Sequence, residues 1–502
     1  MTGRSKKPKK KRFASGVSEH NLLTFGRVRG LPSDDSDDSD YEPEDELENT
    51  SLKKRKRGTK VSSSQPATKK SKKMQKDQPK HIFTSLDWSS KIPNELLYKI
   101  FLYAVYNFSS VPLLCRVSRV CQKWHAVASD PFLWCSIDLS YLAINSVKAK
   151  DETLALMSKR NIFKYVQELN LNSWSKLTNS GLEIIANHCV ALQSINLSKC
   201  GRITSKGVSL IATHCSKLTS INLSYIQTDA TSNMSIKNLL HERGHGLEAL
   251  YLAGNKSVGT PSLAAVQACC VKLKILDLSS CSTGNFSLHL ERLQAACPHL
   301  VELRLSELPF TVVASEMDAL EGFPCLELLS LASLTGGFGI DDKLLQRFLK
   351  TSSKLRQLDL RGCENVSYGA FTDIPADSLE QLFLSRCKIS WKNLFKIIKA
   401  RWNDSLRDLD VSWCSNLNDA ALLTLMGSTH SSLMKFNLAG TGVATTGVRN
   451  ILDSCPKLTE LNLTSCRGVP RGLKKLHDVK SIRKLRAQPH TAMEQVEVDT
   501  LQ

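Results

Sequence analysis

The sequence predicts an α/β solenoid preceded by a small helical unit and a charged tail. Three observations predict it. A short apolar phrase, Leu-x-x-Leu-x-Leu or a close variant, returns twelve times between residues 166 and 473. Ahead of it, residues 83–140 hold three short segments with apolar residues at helical spacing. Residues 1–82 are low in apolar residues and are built of charge blocks.

The tail comes first. Residues 1–80 carry 21 Lys/Arg and 12 Asp/Glu, so +9 of the formal +19 lies there. Such a segment buries too little apolar surface to offset its ordering entropy, so disorder is expected over 1–82. The basic runs Lys6, Lys7, Lys9, Lys10, Lys11, Arg12 and Lys53, Lys54, Arg55, Lys56, Arg57 fit a nuclear-import signal. No aromatic residues interleave with them, so nucleic-acid binding is not favoured. Ser36 and Ser39 lie among acids and are candidate phosphate acceptors.

The helical unit is "IPNELLYKIFLYAV", then "PLLCRVSRVCQKWHAVA", then "DPFLWCSIDLS". Pro93 sits at a first helical turn, where its missing N–H costs nothing. Leu96, Leu97, Ile100 and Phe101 follow at i, i+3/i+4 spacing. About fifty residues barely support a core of their own, yet this unit is crowded with large apolar side chains. An interface is therefore expected.

The twelve phrases end at Leu171, Leu197, Leu223, Leu252, Leu278, Leu305, Leu331, Leu360, Leu384, Val411, Leu438 and Leu463, in steps of 24 to 29 residues. Each unit predicts a short strand and then a helix, and stacking the units makes a curved horseshoe. Cys200, Cys281, Cys363, Cys387, Cys414 and Cys466 all fall three residues after a phrase. Cys189, Cys215, Cys270, Cys297 and Cys455 all fall three residues before one. Cysteines at equivalent positions are expected to be stacked, reduced core residues, not a disulfide framework or metal ligands. A linker or capping segment is expected at 141–165, repeats over 166–473 and a cap or tail over 474–502.

Strand alternation predicts that the residue before each final apolar faces the concave side. Tyr251, Asp277, Arg304, Asp359, Phe383 and Asp410 stand out there as substrate-contact candidates, Phe383 as an exposed ring, with Arg361 in the next outward column. No nucleophile–base arrangement, phosphate loop, cofactor motif or run of about 18 apolar residues is present, so neither catalysis nor a membrane span is expected.

The helical unit resembles an F-box. The resemblance rests on Ile92-Pro93-Asn94-Glu95, Ile100-Phe101, Val120-Cys121-x-x-Trp124 and Leu133-Trp134, with Ile92 where the family usually has Leu. The period and phrase resemble leucine-rich repeats of the cysteine-containing class. This resemblance implies a three-helix F-box docking on the adaptor S-phase kinase-associated protein 1 of an SCF ubiquitin ligase, and through it on a cullin and a RING subunit. It carries Ile92, Pro93, Leu96, Leu97, Ile100, Phe101, Val120, Cys121, Trp124, Leu133 and Trp134 as adaptor-binding residues, with internal core as the alternative for Leu97 and Trp124, the latter equally placed for either. The implied role is non-catalytic: recognition of a protein substrate for ubiquitination, in the nucleus or the cytoplasm. A nuclear scaffold acting outside a ligase is the alternative.

Overall fold

The computed structural model describes residues 91–488, apart from 109, 141–148, 160–161, 282–285, 314–321, 335–338 and 427–431. The charge-block tail and its basic runs therefore lie outside the described residues, as do Ser36 and Ser39.

Three helices open the described chain: α1 (Asn94–Phe108), α2 (Ser110–Val117) and α3 (Gln122–Ala128). The turn at Pro131–Trp134 starts on Asp130, whose carboxylate accepts the Phe132 N–H at 2.9 Å. Leu97, Phe101, Leu114, Leu133 and Trp134 close the small core between them.

All twelve phrases form three-residue strands, from Glu168–Asn170 to Glu460–Asn462, paired in parallel and in register. The sheet is longer than the phrases at both ends. Strand Ser136–Asp138, placed inside the expected F-box span, pairs with Glu168–Asn170 and starts the sheet. Strand Leu476–His477, beyond the expected last repeat, pairs antiparallel with Glu460–Asn462 and ends it. The boundaries expected at 140 and 473 thus cut through one fourteen-stranded sheet. The first pairing, and the Trp174 indole N–H donated to the Leu139 carbonyl, tie the F-box to the solenoid as part of one compact unit.

Two devices recur in the turns that follow the phrases. The second residue past the phrase is left-handed, with φ of 52–64° at Ser173, Lys199, Tyr225, Ser280, Glu307, Arg386, Trp413 and Ser465. Glycine takes that place at 254, 362 and 440. Gly362 has a further reason to be glycine: a Cβ there would sit 2.3 Å from the Ser333 carbonyl oxygen. The next position holds the cysteines. Cys200, Cys281, Cys387 and Cys466 direct Sγ at the carbonyl of the preceding repeat's last phrase residue, at 3.2, 3.0, 3.2 and 3.2 Å. They add a further donor to carbonyls that already accept a hydrogen bond within their own turn.

Burial pushes the thiols of Cys200, Cys281, Cys363 and Cys414 up to about 12. Thiolate is the reactive form, so these cysteines are predicted to be inert in the folded protein. Alkylation with iodoacetamide at pH 8, read by mass spectrometry, is expected to label the partly exposed Cys115, Cys121, Cys135, Cys269 and Cys325 first. The buried eleven should react only after denaturant is added.

On the convex side, the repeat after Leu305 is spanned by a salt bridge. Arg347 in helix Asp342–Leu349 reaches back to the buried Glu291 in helix Leu290–Ala296 at 2.5 Å. Among the described residues no helix is long and apolar enough to cross a membrane.

Candidate functional site

Two surfaces carry the candidate residues. On the first, α1 is apolar on two sides because Leu96-Leu97 and Ile100-Phe101 are doublets. Neighbouring residues on a helix point about 100° apart, so each doublet places one side chain inward and one outward. Leu97 and Phe101 are buried, and Phe101 meets the Trp124 ring edge-on at 5.3 Å. Leu96 and Ile100 are each 53% exposed. Tyr103 and Tyr106 extend the same outer side and are the most exposed aromatics of the helix.

This sorting corrects the expected docking set. Leu97, Phe101, Leu133 and Trp134 are core residues, not surface contacts. Trp134 is held by its indole N–H on the Ala128 carbonyl at 2.8 Å. Pro93, Leu96, Ile100 and Val120 are exposed, while Ile92, Cys121 and Trp124 are half-buried. Sequence reasoning missed Tyr103, Tyr106 and Phe132. The first two were legible in the register from Ile100; Phe132 is exposed only because Asp130 turns the chain there.

The second surface is the concave sheet face. Here the residue before each final apolar is mostly Asn or Asp, and its side chain bends back onto the turn. Asn170, Asn196, Asn222, Asp277, Asp410 and Asn462 each accept the N–H two residues on, at 2.9–3.0 Å. The column is therefore largely a turn-capping column. Asp277 and Asp359 are buried, which corrects their reading as exposed contacts. Tyr251, Arg304, Arg361 and Asp410 are half-buried. Phe383 is also half-buried, not freely exposed, with the Arg361 guanidinium over its ring at 5.8 Å.

Two groups result. Arg304 pairs with Glu302 at 2.8 Å, and burial with nearby Glu302 pushes the Tyr251 hydroxyl up to about 12. Arg361 grips both oxygens of Asp359, at 2.9 and 2.7 Å, and Asp359 continues through Ser330 to Ser306. That hydrogen bond from Arg361 to Asp359 raises the guanidinium further, and Asp410 adds to it. Trp174 is buried, whereas Trp413 lies exposed against Gly440.

Asp408, on the same face, is pushed up to about 6 by burial, against the pull of Lys435 and with Asp410 and Glu460 adding repulsion. A carboxyl whose folded pKa exceeds its unfolded value of 3.8 binds more protons when folded. It therefore costs stability as pH rises from about 4 to 6, with the full cost present above 6. At about 1.4 kcal/mol per pH unit the cost is at most about 3 kcal/mol. Asp408→Asn is predicted to raise the melting temperature at pH 7.5 and to leave it nearly unchanged at pH 4, by scanning calorimetry.

Among the described residues no group of three or more His, Cys, Asp and Glu is placed to hold a metal. The F-box-like family model matches residues 89–140, and a Leucine Rich repeat model matches 188–212. The chain thus carries an F-box-like segment ahead of leucine-rich repeats. The chain is 32% identical over 133 residues to the F-box protein SKIP19 of Arabidopsis thaliana, covering 26% of this chain and 43% of that one. It thus spans less than half of that relative's length. Among solved structures it is similar to that of the yeast Rad7 and Elc1 complex, with TM-score 0.41 and 17% identity, over 72% of this chain and 88% of that one. It is also similar to the internalin InlF of Listeria monocytogenes, with TM-score 0.40 and 15% identity, over 66% and 81%.

Proposed function

We propose that this chain is the substrate-recognition subunit of an SCF-type ubiquitin ligase. The observation that carries the reading is the outer side of α1, where Leu96, Ile100, Tyr103 and Tyr106 stand exposed on a bundle whose core is already filled. A patch of large apolar side chains on so small a unit is an interface. The adaptor S-phase kinase-associated protein 1 is its partner in this proposal, and a cullin with a RING subunit follows through it. The solenoid then holds a target protein on its concave face, around Tyr251, Arg304, Arg361, Phe383 and Asp410. The chain's contribution is proximity: it holds an acceptor lysine near the charged ubiquitin-conjugating enzyme. The basic runs at Lys6–Arg12 and Lys53–Arg57 support a nuclear location in this reading.

The test is reconstitution. Purified adaptor and full chain should co-elute in gel filtration with submicromolar affinity. Adding the cullin–RING core should bring ubiquitin transfer to proteins held by the solenoid. A natively folded chain that ignores the adaptor at tens of micromolar would remove the ligase reading and leave a scaffold.

A further inference from the structure

The C-terminal end of the solenoid has a charge that the recognition role does not use. Residues 464–488 hold eight cations (Arg467, Arg471, Lys474, Lys475, Lys480, Arg483, Lys484 and Arg486) and one acid, Asp478. Eight less one gives +7 of the chain's +19 within 25 residues. Asp478 is occupied, its carboxylate accepting the Ser481 N–H at 2.9 Å to cap helix Val479–Ala487. Arg486 is occupied on the Leu452, Cys455 and Pro456 carbonyls. The other seven side chains form no ion pair or hydrogen bond among the described residues, and six of them are exposed.

The last helix sets three of these cations on one face, by their i, i+3 and i+4 spacing. Helix Val479–Ala487 turns Ile482 and Leu485 inward and Lys480, Arg483 and Lys484 outward. Strand Leu476–His477 packs against that helix, burying His477 and leaving Leu476 55% exposed. Val479 is also exposed. In sequence Leu476 and Val479 lie between Lys475 and Lys480, so exposed apolar side chains alternate with cations along this stretch.

A terminal cap needs a polar outer face, but either sign would serve. One sign alone, unpaired, calls for an anionic partner. The exposed Leu476 and Val479 say which kind. A phosphate backbone is gripped by cations and polar groups and has no use for the two apolar side chains. Residues 464–488 also contain no Phe, Tyr or Trp on which bases could stack. We infer that the C-terminal end of the solenoid, from Arg467 to Lys484, docks a separate protein through an acidic segment carrying aliphatic side chains. This surface goes beyond the adaptor face and the concave face and stands whether or not the ligase reading does.

The test uses the full chain and a fluorescein-labelled peptide of glutamates interspersed with leucine, read by anisotropy. Micromolar binding is expected, with at least about a tenfold loss on Lys480→Glu, Arg483→Glu and Lys484→Glu together. Glutamine at the same three positions is expected to weaken binding in the same direction, which covers any failure of the glutamate variant to fold. Leu476→Ser with Val479→Ser should weaken it by about threefold without changing its salt dependence. Leu96→Asp with Ile100→Asp should not affect it, which separates this surface from the adaptor face. Unchanged binding in both charge variants would overturn the proposal. So would duplex DNA or phosphatidylserine vesicles displacing the peptide at lower concentration than unlabelled peptide does. Binding that appears only after removal of residues 489–502, which carry Glu494, Glu497 and Asp499, would assign the surface to the chain's own end and overturn a separate partner.

Discussion

Replacing Leu96 and Ile100 together by aspartate is expected to abolish adaptor capture while leaving the melting curve within about 1 °C of the parent. Both side chains are half-exposed on α1, outside the core formed by Leu97, Phe101 and Leu133. Their loss costs the folded chain little, since substitutions on exposed positions typically change stability by about 0.5 kcal/mol or less. An interface that desolvates them is affected far more. Each lost aliphatic contact removes about 1.5 kcal/mol or more. Each aspartate adds the cost of taking a charge out of water without a partner. A combined loss above about 4 kcal/mol is a thousandfold in affinity, which isothermal titration would record as no binding. The neighbouring Phe101→Ala should behave in the opposite order. It removes a buried ring in edge-on contact with Trp124, with an expected loss of about 3–5 kcal/mol of F-box stability. Equal melting losses in the two variants would contradict the division of α1 into an inner and an outer side.

That division shows what the sequence could and could not reveal. The doublets Leu96-Leu97 and Ile100-Phe101 satisfy the helical period for either face, so periodicity alone did not separate core from contact. The strands were easier. A phrase repeated every 24 to 29 residues identifies all twelve, because each three-residue strand has only one register that buries its central apolar residue. The cysteines were legible for the same reason, through their constant offset from the phrase. The concave face was misread at Asp277 and Asp359. Alternation along a strand correctly gives the direction of the Cβ, but these strands are three residues long and run straight into a turn. There a short polar side chain gains more by accepting the N–H two residues on than by facing solvent. The partial burial of Phe383 could not be foreseen, since it depends on Arg361 from the neighbouring repeat.

The second large effect is expected at Asn255, which stands where six of the twelve repeats place a cysteine. The site is fully buried, and its amide makes four hydrogen bonds. The Nδ2 donates to the Leu223 and Leu252 carbonyls at 2.8 and 2.7 Å. The Oδ1 accepts the Ile226 and Gln227 N–H groups at 2.9 and 3.2 Å. No cysteine could make the last two bonds, because a thiol does not span both sides of the gap. The preceding repeat explains the need: its turn carries two left-handed residues, Tyr225 and Gln227, both at φ 58°. Asn255 holds the strained turn between them. Asn255→Leu is therefore expected to cost about 3–5 kcal/mol, since it leaves buried donors and acceptors unpaired beside strained backbone. Asn255→Cys should cost less, because a thiol at this position still reaches the carbonyl behind it, as Cys281 does at 3.0 Å. In urea unfolding the midpoints should fall in the order parent, Asn255→Cys, Asn255→Leu, and protease cleavage should move first to the Tyr225–Gln227 turn. A leucine variant as stable as the parent would mean that the turn holds its conformation without the amide, and that Asn255 fills space as the cysteines do.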